Sequence, residues 1–103
     1  MTYKIWVDDV RRPTESFESS YIWLKTVEDV KKFIKTVEKN DKHKIELLDL
    51  DHDAGDCGPP DYIKILDWLE ETGRNYPIHI HSQNPVGVEN MRRIIQRNGW
   101  VEV

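Results

Sequence analysis

Apolar positions follow two rhythms along this chain, and the change of rhythm marks the elements. Tyr3-Lys4-Ile5-Trp6-Val7 is rich in aromatic and β-branched residues and stops at Asp8-Asp9, which predicts a strand ending on two carboxylates. Residues 10–20 carry Arg11, Arg12, Pro13 and several serines with no helical period, and read as a loop long enough to be functional or mobile. Tyr21-Ile22-Trp23-Leu24 predicts a second short strand. Thr26, with Asp29 three residues later, resembles a capping box. Beyond it Val27, Val30, Phe33, Ile34 and Val37 form one stripe at 3.6-residue spacing, predicting a helix over 27–39 that ends at Asn40-Asp41.

Residues 45–50 predict a third strand running into Asp51-His52-Asp53, after which Gly55, Gly58, Pro59 and Pro60 break the chain. Asp61 is the expected N-cap of a helix whose inner face is Tyr62, Ile65, Leu66 and Leu69 and whose stop is Gly73. Residues 77–82 predict a fourth strand, Asn84-Pro85 opens a helix with Val88, Met91, Ile94 and Ile95 inward, Asn98-Gly99 closes it, and Trp100–Val103 reads as a last short strand.

The order is therefore ββαβαβαβ. Alternation from the second strand onward predicts an α/β fold: a doubly wound five-stranded parallel sheet, order 2-1-3-4-5, with right-handed crossovers and with Trp6 or Val7 in the core. In such sheets ligands bind beyond the carboxyl ends of the strands. Those ends are Asp8-Asp9, Asp51-His52-Asp53 and His81-Ser82, so three polar clusters distant in sequence are expected on one rim.

Composition narrows the function classes. At 103 residues the chain is expected to be one domain, residues 1–103, large enough for a core without staples. Ten per cent aromatic residues, with four Trp, offset a hydrophobic content of only 38%. A net charge of −4 argues against nonspecific duplex DNA binding or attachment to an anionic membrane. The single cysteine, Cys57, excludes an internal disulfide and a thiolate zinc cluster, and reads as an ordinary loop thiol. The start has no signal-peptide pattern and no apolar run reaches a membrane span, so a cytoplasmic location is expected.

Carboxylates gathered at one rim repel unless a cation or proton separates them. Asp8, Asp9, Asp51 and Asp53 are therefore candidate ligands for a hard divalent cation, Mg²⁺ or Mn²⁺; the competing reading makes them caps and turn residues. His79 and His81 share one face of the fourth strand, and Asp49 and Asp51 one face of the third. With level strand ends, Asp49 is expected to pair with His79 in a structural role, and Asp51 to lie near His81. His81 is the candidate for proton transfer, and His52 could be a ligand, a base or simply exposed. Ser82, Asn84 and Gly87 lie at a helix start that could hold an anion or merely cap the helix. Arg11 and Arg12 could hold a phosphate or remain solvated.

Three motifs, Val7-Asp8-Asp9-Val10-Arg11-Arg12-Pro13, Leu50-Asp51-His52-Asp53 and His81-Ser82-Gln83-Asn84-Pro85-Val86-Gly87, carry a resemblance that spans nearly the whole chain. Together they resemble the receiver domains of response regulators, and more closely the cyclic-phosphate-processing receiver domains. The resemblance implies a receiver/flavodoxin-like fold lacking the helix between the first two strands, and a metal or acid role for Asp8, Asp9 and Asp51. It places His52, Asp53, His81, Ser82 and Asn84 around the same pocket. It also implies action on cyclic phosphates of nucleotides or RNA ends, that is, a phosphoesterase. Two features depart from an ordinary receiver: no Lys follows the fifth predicted strand and no C-terminal helix is expected after it, which argues against an Asp-phosphorylation switch. Asp49 could also be read as the strand-end acid; Asp51 is preferred because the Asp-His-Asp triplet then lies at the rim. The alternatives to an enzyme are a degenerate receiver that binds a nucleotide or protein partner in signalling without turnover, and a purely structural domain.

Overall fold

The computed structural model describes residues 1–9, 21–52 and 61–103. Arg11, Arg12, Asp53 and Cys57 lie outside the described residues. The elements are β1 (Thr2–Val7), β2 (Tyr21–Leu24), α1 (Val27–Glu38), β3 (Lys44–Leu50), α2 (Ile63–Thr72), β4 (Ile78–Ile80) and α3 (Pro85–Asn98). The strands form one parallel sheet in the order β2-β1-β3-β4, with β1 and β3 at its centre.

A bulge sets which side chains share a face. Tyr3 pairs with Ile45 but Lys4 pairs with Leu47, so Glu46 is the extra residue. This lets Ile45, Leu48 and Leu50, which strict alternation would split, all join Ile5 and Val7 in one buried layer. Ile34 of α1, Ile65, Leu66 and Leu69 of α2, and Met91 and Ile95 of α3 pack in that same cluster. All three crossovers step the same way across the sheet, and right-handed crossovers stepping one way lie on one face. The expectation of helices on both faces thus becomes, among the described residues, helices on one face. Trp6 alternates with Ile5 and Val7, is only 7% exposed, and projects to the other face.

Local chemistry accounts for the helix ends. Thr26 Oγ1 accepts the Asp29 N–H at 3.0 Å, as the Thr-x-x-Asp pattern predicts. Gly73 and Gly99 close α2 and α3 at φ 70° and 68°, a left-handed conformation that costs glycine little. The cap of α2 differs from expectation: it is Tyr62, not Asp61, and it makes no side-chain cap bond. Tyr62 is instead fully buried, with its hydroxyl donating to Lys25 O at 2.6 Å, so core packing decides where that helix starts. The fifth predicted strand is reduced to one parallel bridge, Ile78 to Glu102, flanked by Ile78 N–Val101 O and Val103 N–Ile78 O bonds. It lies beside β4 as the order 2-1-3-4-5 requires, but β4 itself is only three residues long and offers little to pair with. The described sheet therefore has four strands. Among the described residues no helix is long and apolar enough to cross a membrane.

Candidate functional site

Parallel pairing continues one residue past three strands and levels their ends. Asp8 N–H reaches Leu24 O, Asp51 N–H reaches Val7 O, and His81 N–H reaches Leu50 O. Alternation then puts Trp6 and Asp8, Asp49 and Asp51, and His79 and His81 on the face opposite the helices. Asp8 is fully buried, Asp49 and Asp51 nearly so, and Asp9 half-buried. One carboxylate oxygen from each of Asp8, Asp9 and Asp51 lies within 4.8 Å of the others. Two unit charges at such a distance repel by roughly 3–4 kcal/mol even at an effective dielectric of about 20.

His81 sits against this cluster with both ring nitrogens engaged. Nε2 lies 3.0 Å from Asp8 Oδ2 and Nδ1 lies 2.7 Å from Asp49 Oδ1. An ionised carboxylate only accepts, so both contacts are hydrogen bonds only when both nitrogens carry hydrogen. The ring also stacks on Trp6, 3.9 Å between centroids and 4° from parallel. Tyr21 completes the chain by donating its hydroxyl to Asp49 Oδ2 at 3.0 Å. Burial, and then the Asp49 carboxylate beside it, push the Tyr21 hydroxyl up to about 12.

A family model described as the cyclic-phosphate processing receiver domain matches residues 3–97. The chain belongs to this family. No curated protein and no solved structure matches the chain significantly. The match to the cyclic-phosphate processing receiver domain takes in every strand end that carries Asp8, Asp9, Asp51 and His81, and nearly all of α3.

The other candidates take varied places in this receiver domain. Asp51 Oδ1 accepts the His52 N–H at 2.8 Å, and His52 O accepts the Tyr62 N–H, so the turn after β3 is tied at both sides of His52. The His52 imidazole lies over the first turn of α3: a Cβ at Gly87 would stand 2.4 Å from His52 Cγ. The close approach expected at Gly87 is therefore made by His52. Ser82 Oγ accepts the Asn84 N–H at 3.1 Å, and Asn84 Oδ1 accepts the Gly87 N–H at 3.0 Å. Pro85 has no N–H and that of Val88 bonds Asn84 O, so most donors of this helix start already serve the cap.

One expected pair is corrected. Asp49 and His79 are register partners, but their side chains bond elsewhere: His79 Nδ1 lies 2.7 Å from Val103 O, and Asp49 bonds His81. His81 follows Ile80, the register partner of Leu50, and so lies across from Asp51 as expected, while its ring bridges Asp8 and Asp49. Sequence reasoning gave no site role to Trp6 or Tyr21, and gave Asp49 a structural pairing or, as the alternative to Asp51, the place of the strand-end acid. The two-residue parity that links Trp6 to Asp8 and Asp49 to Asp51 is the signal that points to Trp6 and Asp49.

The donor set suits a hard divalent cation. It offers three carboxylates from two strand ends, two of them nearly inaccessible, with no soft ligand among them. Mg²⁺–oxygen bonds are about 2.1 Å, so neighbouring ligand oxygens stand roughly 3–4 Å apart. The Asp8, Asp9 and Asp51 oxygens, within 4.8 Å of one another, are of that order.

Proposed function

We propose that this receiver domain binds the phosphoryl group of a cyclic phosphate on a nucleotide or RNA end at the Asp8–Asp9–Asp51 rim, and opens the ring by hydrolysis. The observation that carries the reading is the cluster of the Asp8, Asp9 and Asp51 carboxylates at the strand ends, with His81 bonded to Asp8, in a family described by cyclic-phosphate processing. Asp8, Asp9 and Asp51 would hold Mg²⁺ or Mn²⁺, which supplies Lewis-acid stabilisation of the phosphoryl oxygens when bound. Asp53, Arg11 and Arg12 belong to the same rim motifs and are proposed to add ligand and phosphate contacts.

In the reaction water attacks phosphorus, one ring P–O bond breaks, and the product is a phosphomonoester with a freed hydroxyl. One proton leaves the attacking water and one reaches the departing alkoxide. His81 is the proposed proton donor through Nε2, because Trp6 and Asp49 fix its ring, and general acid–base work needs fixed geometry. His52, on the turn beside Asp51, is the proposed second group, and Asp51 orients the water. Ser82, Asn84 and Gly87 shape the wall by capping α3 and seating His52.

A second reading, a degenerate receiver that binds a nucleotide without turnover, is favoured by one observation. His81 is about 10% exposed, and each of its ring nitrogens is already engaged by a carboxylate. Turnover assays on 2′,3′-cyclic nucleotides with Mg²⁺ separate the two. Ring opening that His81→Gln lowers by about 100-fold or more supports the enzyme. Tight binding with no product in any assay overturns it in favour of the binding module.

A further inference from the structure

The face of the sheet opposite the helices carries a trough of about 490 Å³, bordered by Trp6, Tyr21, Leu47, His79 and His81 over Asp49. Its size falls within the range of small-molecule sites, and its lining combines aromatic rings, an aliphatic side chain and a single acidic group, as such sites do. Another hollow of about 330 Å³, at the opposite end of the sheet, is lined by Glu38 and Tyr76. It offers less, because Glu38 is already taken up by a bidentate bond to Arg74 and by the Tyr76 hydroxyl.

Resting on the function proposed above, we infer that the trough is the seat of the nucleobase of that nucleotide or RNA end. Three observations converge. First, His81 belongs to both places: Nε2 touches Asp8 of the acid cluster, and the same ring borders the trough. A phosphate at the rim and a ring in the trough are thus separated by one imidazole. Second, the half-buried Tyr21 and His79 rings, beside the mutually stacked Trp6 and His81, border the space with π systems, the kind of surface on which bases pack regardless of sequence. Third, Asp49 places a carboxylate at the floor. Its two oxygens are already taken by Tyr21 and His81, but its charge beside the trough disfavours a phosphate there and leaves the phosphate to the rim.

The test is titration calorimetry in Mg²⁺ with adenosine 2′,3′-cyclic phosphate and with the base-free glycerol 1,2-cyclic phosphate, alongside NMR mapping of adenosine alone. Stacking and apolar contact of one base are worth about 1–3 kcal/mol, so the nucleotide should bind at least about fivefold more tightly than the base-free compound. Leu47 is half-buried on the open face, so Leu47→Trp fills the trough without emptying the core. That variant should erase the preference and leave glycerol cyclic phosphate affinity unchanged. Adenosine should shift the Trp6 indole and Tyr21 ring signals and spare the Asp51 amide. Equal affinities for the two cyclic phosphates, or a preference that survives Leu47→Trp, would overturn the inference. If neither cyclic phosphate binds but adenosine still shifts Trp6 and Tyr21, the trough stands and the phosphate reading fails. If adenosine shifts nothing, the trough is overturned whatever the phosphates do.

Discussion

Gly87→Ala isolates the contact that seats His52 beside the rim. The added methyl would stand 2.4 Å from His52 Cγ, 2.6 Å from Nδ1 and 2.7 Å from Cδ2. Ordinary carbon contacts lie near 3.5–4.0 Å, so the imidazole must retreat by about an ångström. Its backbone cannot follow freely, because His52 N–H is bound to Asp51 and His52 O to Tyr62. The helix start is pinned as well, through the Asn84 cap on Gly87. Gly87 is not among the positive-φ glycines, so alanine is conformationally acceptable and in a helix would by itself gain up to about 1 kcal/mol. Overpacking costs about 1–3 kcal/mol. The net expectation is a loss of about 1 kcal/mol, or roughly 4–8 °C in Tm for a chain of this size. In a His52→Ala background the ring is gone, and the same substitution should stabilise. Urea unfolding of the four proteins in a double-mutant cycle should give a coupling of at least about 1 kcal/mol. Gly87→Ala raising stability equally in both backgrounds would refute the seating of His52 on α3.

Further outcomes follow from the same geometry. His81→Gln should lower ring-opening turnover by about 100-fold or more while keeping the stabilisation by Mg²⁺, since the carboxylates are the proposed ligands; loss of both would make His81 structural. The Tyr21 hydroxyl should titrate near 12 in NMR, and Asp49→Asn should lower that midpoint only in part, because burial is the larger cause. The sign follows from a folded value above the unfolded one: the Tyr21 contribution to stability is complete below about 10 and is lost as pH rises through about 12. A midpoint unchanged by Asp49→Asn would contradict the Tyr21–Asp49 bond. Asn84→Ala should cost about 1 kcal/mol in thermal unfolding through loss of the α3 cap, and no measurable change would mean that the cap is dispensable.

Much of this architecture is legible in the residue pattern because one physical rule dominates each element. The 3.6-residue stripe from Val27 to Val37 and the Thr26 cap define α1, and the Asn84-Pro85 start and Gly99 stop define α3. The meeting of Asp8, Asp9 and Asp51 follows from parallel strands ending level, which alternation of strands and helices already implies. What escapes the pattern depends on tertiary choice. The bulge at Glu46 resets side-chain parity between Ile45 and Leu48, and nothing local marks it. His79 and His81 have the same parity, and only the reach of the Asp49 side chain along the sheet decides which one it bonds. Trp6 reads as a core residue and is indeed buried, but His81, itself bonded to Asp49, and Tyr21, not the helices, accompany it. The last strand shrinks to a bridge because β4 is short, which the β-rich run at 77–82 conceals.

The most direct test of the rim as a cation site is thermal unfolding of the wild type and Asp51→Asn, each with and without Mg²⁺. Asp51→Asn removes one of three clustered carboxylates, so the metal-free protein should melt higher, in the direction set by relieved repulsion. Millimolar Mg²⁺ should raise the wild-type Tm by linkage and leave that of the variant almost unmoved. A variant that melts lower without metal and gains as much from Mg²⁺ as the wild type would contradict the cation site at Asp8, Asp9 and Asp51.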